Sequence, residues 1–141
     1  MKKDRLFLDT NVVLDLLDER PPFYESIAKI ATLGDLGRVA LVASSLSYAT
    51  VNYVLAKIIG AYHSKDKLRK FKVISEISGV DEFIVEKGLN SAFSDFEDSL
   101  QYYCALQAKC SIIITRNGKD FKESSLPVMT AGEYLASIGM H

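Results

Sequence analysis

The 141-residue sequence has few of the residues that staple or punctuate a chain, with two cysteines, two histidines and three prolines. Cys104 and Cys110 lie too far apart for a Cys-x-x-Cys site, and without spaced histidines they suggest neither a zinc centre nor a disulfide framework. Both read as core residues. No internal repeat, low-complexity tract or Pro/Gly-rich linker interrupts the chain, so residues 1–141 are expected to form one domain. A phosphate-binding glycine loop and a Gly-x-Ser-x-Gly elbow are absent too, which removes nucleotide-binding and serine-triad readings. A basic surplus is also missing. With a net charge of −1, any nucleic-acid contact has to come from a local patch and not from an overall field.

Long apolar runs are scarce as well. The longest uncharged stretch, residues 39–56, is broken by Ser44, Ser45, Ser47, Thr50 and Asn52, whereas a membrane span needs about 20 mostly apolar residues. The first apolar run meets the polar Asp9-Thr10-Asn11 too early for a signal peptide. A cytoplasmic protein with no membrane association is expected.

Apolar residues make up 48% of the chain and charged residues 25%, enough for a sizeable core. Their pattern alternates strand and helix. Strands are expected at residues 5–8, 39–43 and 111–115, with an edge strand at 127–129. The three consecutive isoleucines near residue 113 suit a strand buried on both faces. Helices are expected at 12–17, 23–36, from Ser44 or Ser45 to 59, at 65–77, 82–89 and 96–108, and from 131, with a short extended piece near 79–81. Such alternation implies βαβ units in an α/β fold: a mostly parallel central sheet in a three-layer α/β/α sandwich. Residues 63–72 carry Lys65, Lys67, Arg69, Lys70 and Lys72 against Asp66, either a solvated helix face or a surface for phosphate or a partner.

In parallel sheets the functional crevice lies at the carboxyl ends of the strands, and the acids fall there. Asp9 follows the first strand, Asp120 follows the isoleucine strand after a short turn, and Asp95 and Asp98 open the helix that feeds that strand. Each alone has a structural explanation as a helix cap or turn residue. Jointly they form a carboxylate group that would repel itself unless a cation neutralised it. Hard oxygen donors of this kind suit Mg²⁺ or Mn²⁺ and hydrolysis of a phosphodiester by metal-activated water.

Three segments, Leu8-Asp9-Thr10-Asn11-Val12, Asp95-Phe96-Glu97-Asp98-Ser99-Leu100 and Ile114-Thr115-Arg116-Asn117-Gly118-Lys119-Asp120-Phe121, resemble in order and spacing the PIN-domain family, which includes the toxin nucleases of VapBC-type toxin-antitoxin pairs. The resemblance implies an α/β/α sandwich, divalent-metal dependence, cleavage of RNA and an antitoxin partner. It makes Asp9, Asp98 and Asp120 metal ligands or organisers of the water, with Asp95 and Asn117 flanking them. Thr10, Asn11 and Thr115 become supporting or substrate-contacting residues. One departure stands out. The family commonly supplies a glutamate from the helix after the second strand, and no acid occurs between Gly37 and Lys57. Asn52 and Thr50 are the neutral candidates; helical periodicity, with an inward stripe of Tyr48, Val51, Leu55, Ile58 and Ile59, favours Asn52 as the metal-side oxygen.

Two other readings stay open: a catalytically silent PIN-like module that binds RNA or protein, and a haloacid-dehalogenase-type phosphatase suggested by Asp9-Thr10-Asn11-Val12-Val13. The seven tyrosines and the apolar fraction, with the family resemblance, lead us to expect a homodimer.

Overall fold

The computed structural model describes residues 3–140. The chain forms β1 (Arg5–Leu8), α1 (Thr10–Leu17), α2 (Tyr24–Asp35), β2 (Ala40–Ser44), α3 (Ser45–Ile59) and α4 (Ala61–Val73). There follow β3 (Ser75–Ser78), α5 (Glu82–Leu89), α6 (Phe96–Gln107), β4 (Ile112–Ile114), a 3₁₀ turn (Gly118–Phe121), β5 (Val128–Met129) and α7 (Ala131–Ser137). The strands pair in the order β3-β2-β1-β4-β5, every pair parallel.

Alternation along the central strands sends side chains into two cores. Leu6, Leu8, Leu41, Ala43 and Ile114 face one layer, where they meet α1, α2, α3 and α7 through Val13, Ile30, Leu55 and Tyr134. Phe7, Val42 and Ile113 face the other, against Ile84 of α5, Leu100, Cys104 and Ala105 of α6 and Phe121. A parallel sheet covered on both faces is the expected α/β/α sandwich. Cys104 and Cys110 are buried free thiols, as read.

Two expectations are corrected. Residues 65–77 are not one helix: α4 ends at Val73 and Ser75–Ser78 is the edge strand β3, paired from Leu41↔Ser75 to Ser44↔Ser78. Ile74 and Ile77, three apart, imitate helical spacing, and the strand's two central residues are exposed. The extended piece near 79–81 therefore lies a few residues earlier. On α3 the buried stripe is Ser47, Val51 and Leu55, while Ile58 is 52% exposed.

No helix among the described residues is long and apolar enough to cross a membrane.

Candidate active site

Strand order reverses at β1, which has β2 on one side and β4 on the other; the crevice beyond the ends of β1 and β4 is therefore the topological switch point. Asp9 stands at its floor. It leaves β1 with its N–H donating to Ile114 O at 3.0 Å and caps α1, its Oδ1 accepting from Thr10 N at 2.9 Å. Thr115, just past β4, donates from Oγ1 to Asp9 Oδ2 at 2.9 Å and accepts from Asn117 N at 3.1 Å. Asp9 is 7% exposed, and burial raises its pKa, opposed by the Thr115 and Thr10 bonds and aided by Asp120.

Asp95 caps α6, its Oδ1 accepting from Asp98 N at 3.0 Å, and this places Asp98 in the first helical turn. The pKa of Asp98 is pushed up to about 7, first by burial and then by repulsion from Asp95, Asp9, Asp120 and Glu97. Asp120 sits in the 3₁₀ turn that opens after Asn117, whose carbonyl accepts from Asp120 N at 2.9 Å. Asp98 thus feels Asp9 and Asp120 from two other segments across the crevice, and Asp95 beside it.

Behind Asp9 lies a polar network that the sequence did not reveal. Gln101 Nε2 donates to Thr10 Oγ1 at 2.7 Å and to Ser47 Oγ at 2.9 Å, while its Oε1 accepts from Ser44 Oγ at 2.7 Å. Thr10 and Ser47 hydroxyls are 2.7 Å apart. Gln101 stands one turn after Asp98 on α6, so the network ties α1, α3 and α6 together under the acids. The only signal in the sequence was a glutamine at a position where the helix buries its neighbours Leu100 and Tyr102.

The remaining expected residues are spread more widely. Asn11 is exposed on α1. Asn52 does not turn to the acids; its Oδ1 accepts from Ser64 of α4 at 2.7 Å. Ser47 marks the face of α3 that meets Thr10, and at 100° per residue Thr50 lies about 60° round from it whereas Asn52 lies about 140° round. Where a glutamate was looked for, α3 offers neutral hydroxyls.

Among the described residues no three His, Cys, Asp or Glu side chains stand so that they could hold an ion by themselves. The donor set nonetheless fits one kind of ion. All its groups are hard oxygens, they repel one another, and Mg²⁺ in particular is commonly held by one or two carboxylates while keeping several waters.

These features define a class: a parallel-sheet α/β protein with an acidic centre at its topological switch point. The chain belongs to the PIN-domain family, whose family model, described as PIN domain, matches residues 5–119. It is similar to Ribonuclease VapC1 of Aquifex aeolicus, with 30% identity over 145 residues and 95% of each chain covered. Among solved structures it is similar to VapBC2 from Rickettsia felis bound to a DNA fragment from their promoter, with a TM-score of 0.64 and 18% identity over 89% of this chain and 96% of that one. It is similar also to Mycobacterium tuberculosis VapC20, a Sarcin-Ricin loop cleaving toxin, with a TM-score of 0.65 and 10% identity over 84% and 94%. At these identities the structural likeness shows a shared fold. Family membership displaces the phosphatase alternative.

Proposed function

We propose that the protein is a divalent-metal-dependent endoribonuclease acting as the toxin of a toxin-antitoxin pair. The observation that carries this reading is that Asp9 at the end of β1, Asp98 in the first turn of α6 and Asp120 in the 3₁₀ turn come near enough at the switch point to repel one another, with Asp95 beside Asp98. The names of the similar proteins support RNA as substrate and an antitoxin as partner. Asp9, Asp98 and Asp120 would hold Mg²⁺ or Mn²⁺ together with waters that the ion keeps, with Asp95 flanking them. When bound, the ion supplies a water acidic enough to attack a phosphodiester and a positive charge for the phosphate oxygens.

The chain's own residues fix the frame for that chemistry. Thr115 and the Thr10 N–H hold both Asp9 oxygens in one orientation. Asn117 sets the Thr115 hydroxyl through its backbone N–H, and Gln101 locks Thr10 to α3. Self-association as a homodimer belongs to the same reading, with exposed Phe83 and Leu89 on α5 as apolar surface for it.

The test is cleavage of single-stranded RNA with Mn²⁺ or Mg²⁺ against EDTA. Asp9→Asn and Asp98→Asn are each expected to lower the metal-stimulated rate by on the order of 10²-fold or more while circular dichroism stays unchanged. Full activity in both variants would remove the assignment. A second reading, a PIN fold that binds RNA without cutting it, draws on the lack of an acid on α3 and on the open spacing of the acids elsewhere. Metal-independent RNA binding with no cleavage at any Mn²⁺ concentration would select it.

A further inference from the structure

We propose that one face of α4 is a track for the phosphodiester backbone of single-stranded RNA, with Tyr62 as a stacking platform for a base. The proposal rests on the ribonuclease reading only for the identity of the polyanion. Helix α4 holds five cations against the single Asp66, in a chain of net charge −1. Those cations divide into two sets. Lys67 donates to Leu17 O at 2.7 Å and lies 3.7 Å from Glu19 Oε2, and Lys70 lies 3.2 Å from Asp66 Oδ2. Lys65, Arg69 and Lys72 are exposed and have no ion-pair partner among the described residues.

Tyr62, Lys65, Arg69 and Lys72 follow one another at spacings of three, four and three, which places them within about 80° on one helix face and along roughly 15 Å of its length. Tyr62 is 74% exposed, and its ring meets that of His63 edge-on at 5.5 Å. Between the cations lies an open cleft of about 250 Å³, lined by Tyr48, Lys65, Leu68, Arg69 and Lys72. Tyr48 follows Ser47, whose hydroxyl lies 2.7 Å from that of Thr10 beside Asp9. Cleft and acid cluster therefore flank the same turn of α3.

A polyanion approaching four carboxylates is repelled unless cations hold it nearby, and unpaired cations in line with an exposed aromatic ring are the chemistry of single-strand binding. An acidic peptide would use the cations but give Tyr62 no role.

The experiment measures binding of fluorescein-labelled single-stranded RNA to the full chain in EDTA, by anisotropy, at several salt concentrations. Lys65→Ala/Arg69→Ala/Lys72→Ala should weaken binding about ten-fold or more at low salt and flatten the salt slope by about 2, at roughly 0.7 per phosphate contact. Tyr62→Ala should weaken binding and leave the slope unchanged. Lys3→Ala/Arg38→Ala/Lys87→Ala removes equal charge elsewhere and should change the slope little. A Gln version of the first variant covers the case in which the Ala version fails to fold.

An unchanged slope in the α4 variant, or an equal loss in the control, overturns the track. So does loss of affinity for a poly-glutamate peptide with RNA binding intact, which would mark an acidic protein partner. A wild type that binds RNA through α4 but cleaves none with Mn²⁺ defeats the ribonuclease reading alone. Cleavage with Mn²⁺ and an unaltered KM in the α4 variant defeats the track alone.

Discussion

Asp15 is a carboxylate inside α1 at 1% exposure. Arg116 meets it with Nε donating to Oδ2 at 2.7 Å and Nη2 to Oδ1 at 3.3 Å, while the guanidinium carbon lies 4.1 Å from the Phe23 ring centroid. Burial still raises the Asp15 pKa above its ordinary value, against the pull of Arg116. Because Arg116 follows Thr115, this pair also pins the chain next to the residue that orients Asp9. Arg116→Ala strands a buried charge and is expected to cost about 3 kcal/mol. A carboxyl with a raised folded pKa favours the fold below its unfolded pKa and loses that contribution as pH rises through the folded one. Removing Arg116 raises the folded value further, so the deficit should be larger at pH 8 than at pH 5. Urea denaturation at both pH values measures it, and equal deficits would contradict the account.

At the same scale the sequence made some of the candidate site legible and hid the rest. Asp9, Asp95, Asp98 and Asp120 could be read because each sits where a strand or helix begins or ends, and such ends are visible in the apolar pattern. The link of Ser44, Ser47 and Gln101 to that site could not, because the partners that make it lie 37 to 91 residues away. A buried amide has no sequence signature until the helices that satisfy it meet.

Element by element, the strongly periodic segments were readable and the weak edge was not. β1 holds the apolar run Leu6–Leu8, β2 the run Ala40–Ala43 and β4 three isoleucines, whereas β3 carries Ser75, Glu76 and Ser78 and shows no alternation to read. Its place in the sheet is fixed by pairing with β2, a tertiary fact. Packing likewise overrides propensity at Gly34 in α2. A Cβ there would stand 2.5 Å from Leu41 Cδ1 and 2.7 Å from Leu41 Cγ, and Leu41 is buried in the sheet beneath. Helix propensity alone would make Gly34→Ala stabilising by about 1 kcal/mol. Close approach of α2 to β2 reverses the sign, since overpacking costs about 1–3 kcal/mol. A lower urea midpoint for Gly34→Ala is the expected outcome; a higher one would show that Leu41 can move aside freely.

Across the whole molecule, acids and cations are gathered in separate places. The acids meet at the carboxyl ends of the strands, where Asp98 feels Asp95, Asp9, Asp120 and Glu97 together, and cations of α4 lie beside Tyr48, about 100° round α3 from Ser47. If the cluster holds a divalent ion as proposed, that binding, which the unfolded chain lacks, would stabilise the fold by mass action, by about 2.7 kcal/mol when the ion is at 100 times its dissociation constant. The melting temperature is accordingly expected to rise with Mn²⁺ or Mg²⁺ in the absence of any RNA. Asp98→Asn keeps the side chain's size and leaves the backbone N–H that Asp95 accepts, but removes one repelling charge. In metal-free buffer at pH 8 that variant should therefore melt higher than the wild type, and its gain on adding Mn²⁺ should shrink. Scanning calorimetry of both proteins with and without the metal separates this from any effect on catalysis. A wild type whose melting temperature ignores Mn²⁺, beside an Asp98→Asn variant no more stable than it, would show that the four carboxylates are neither strained nor a cation site.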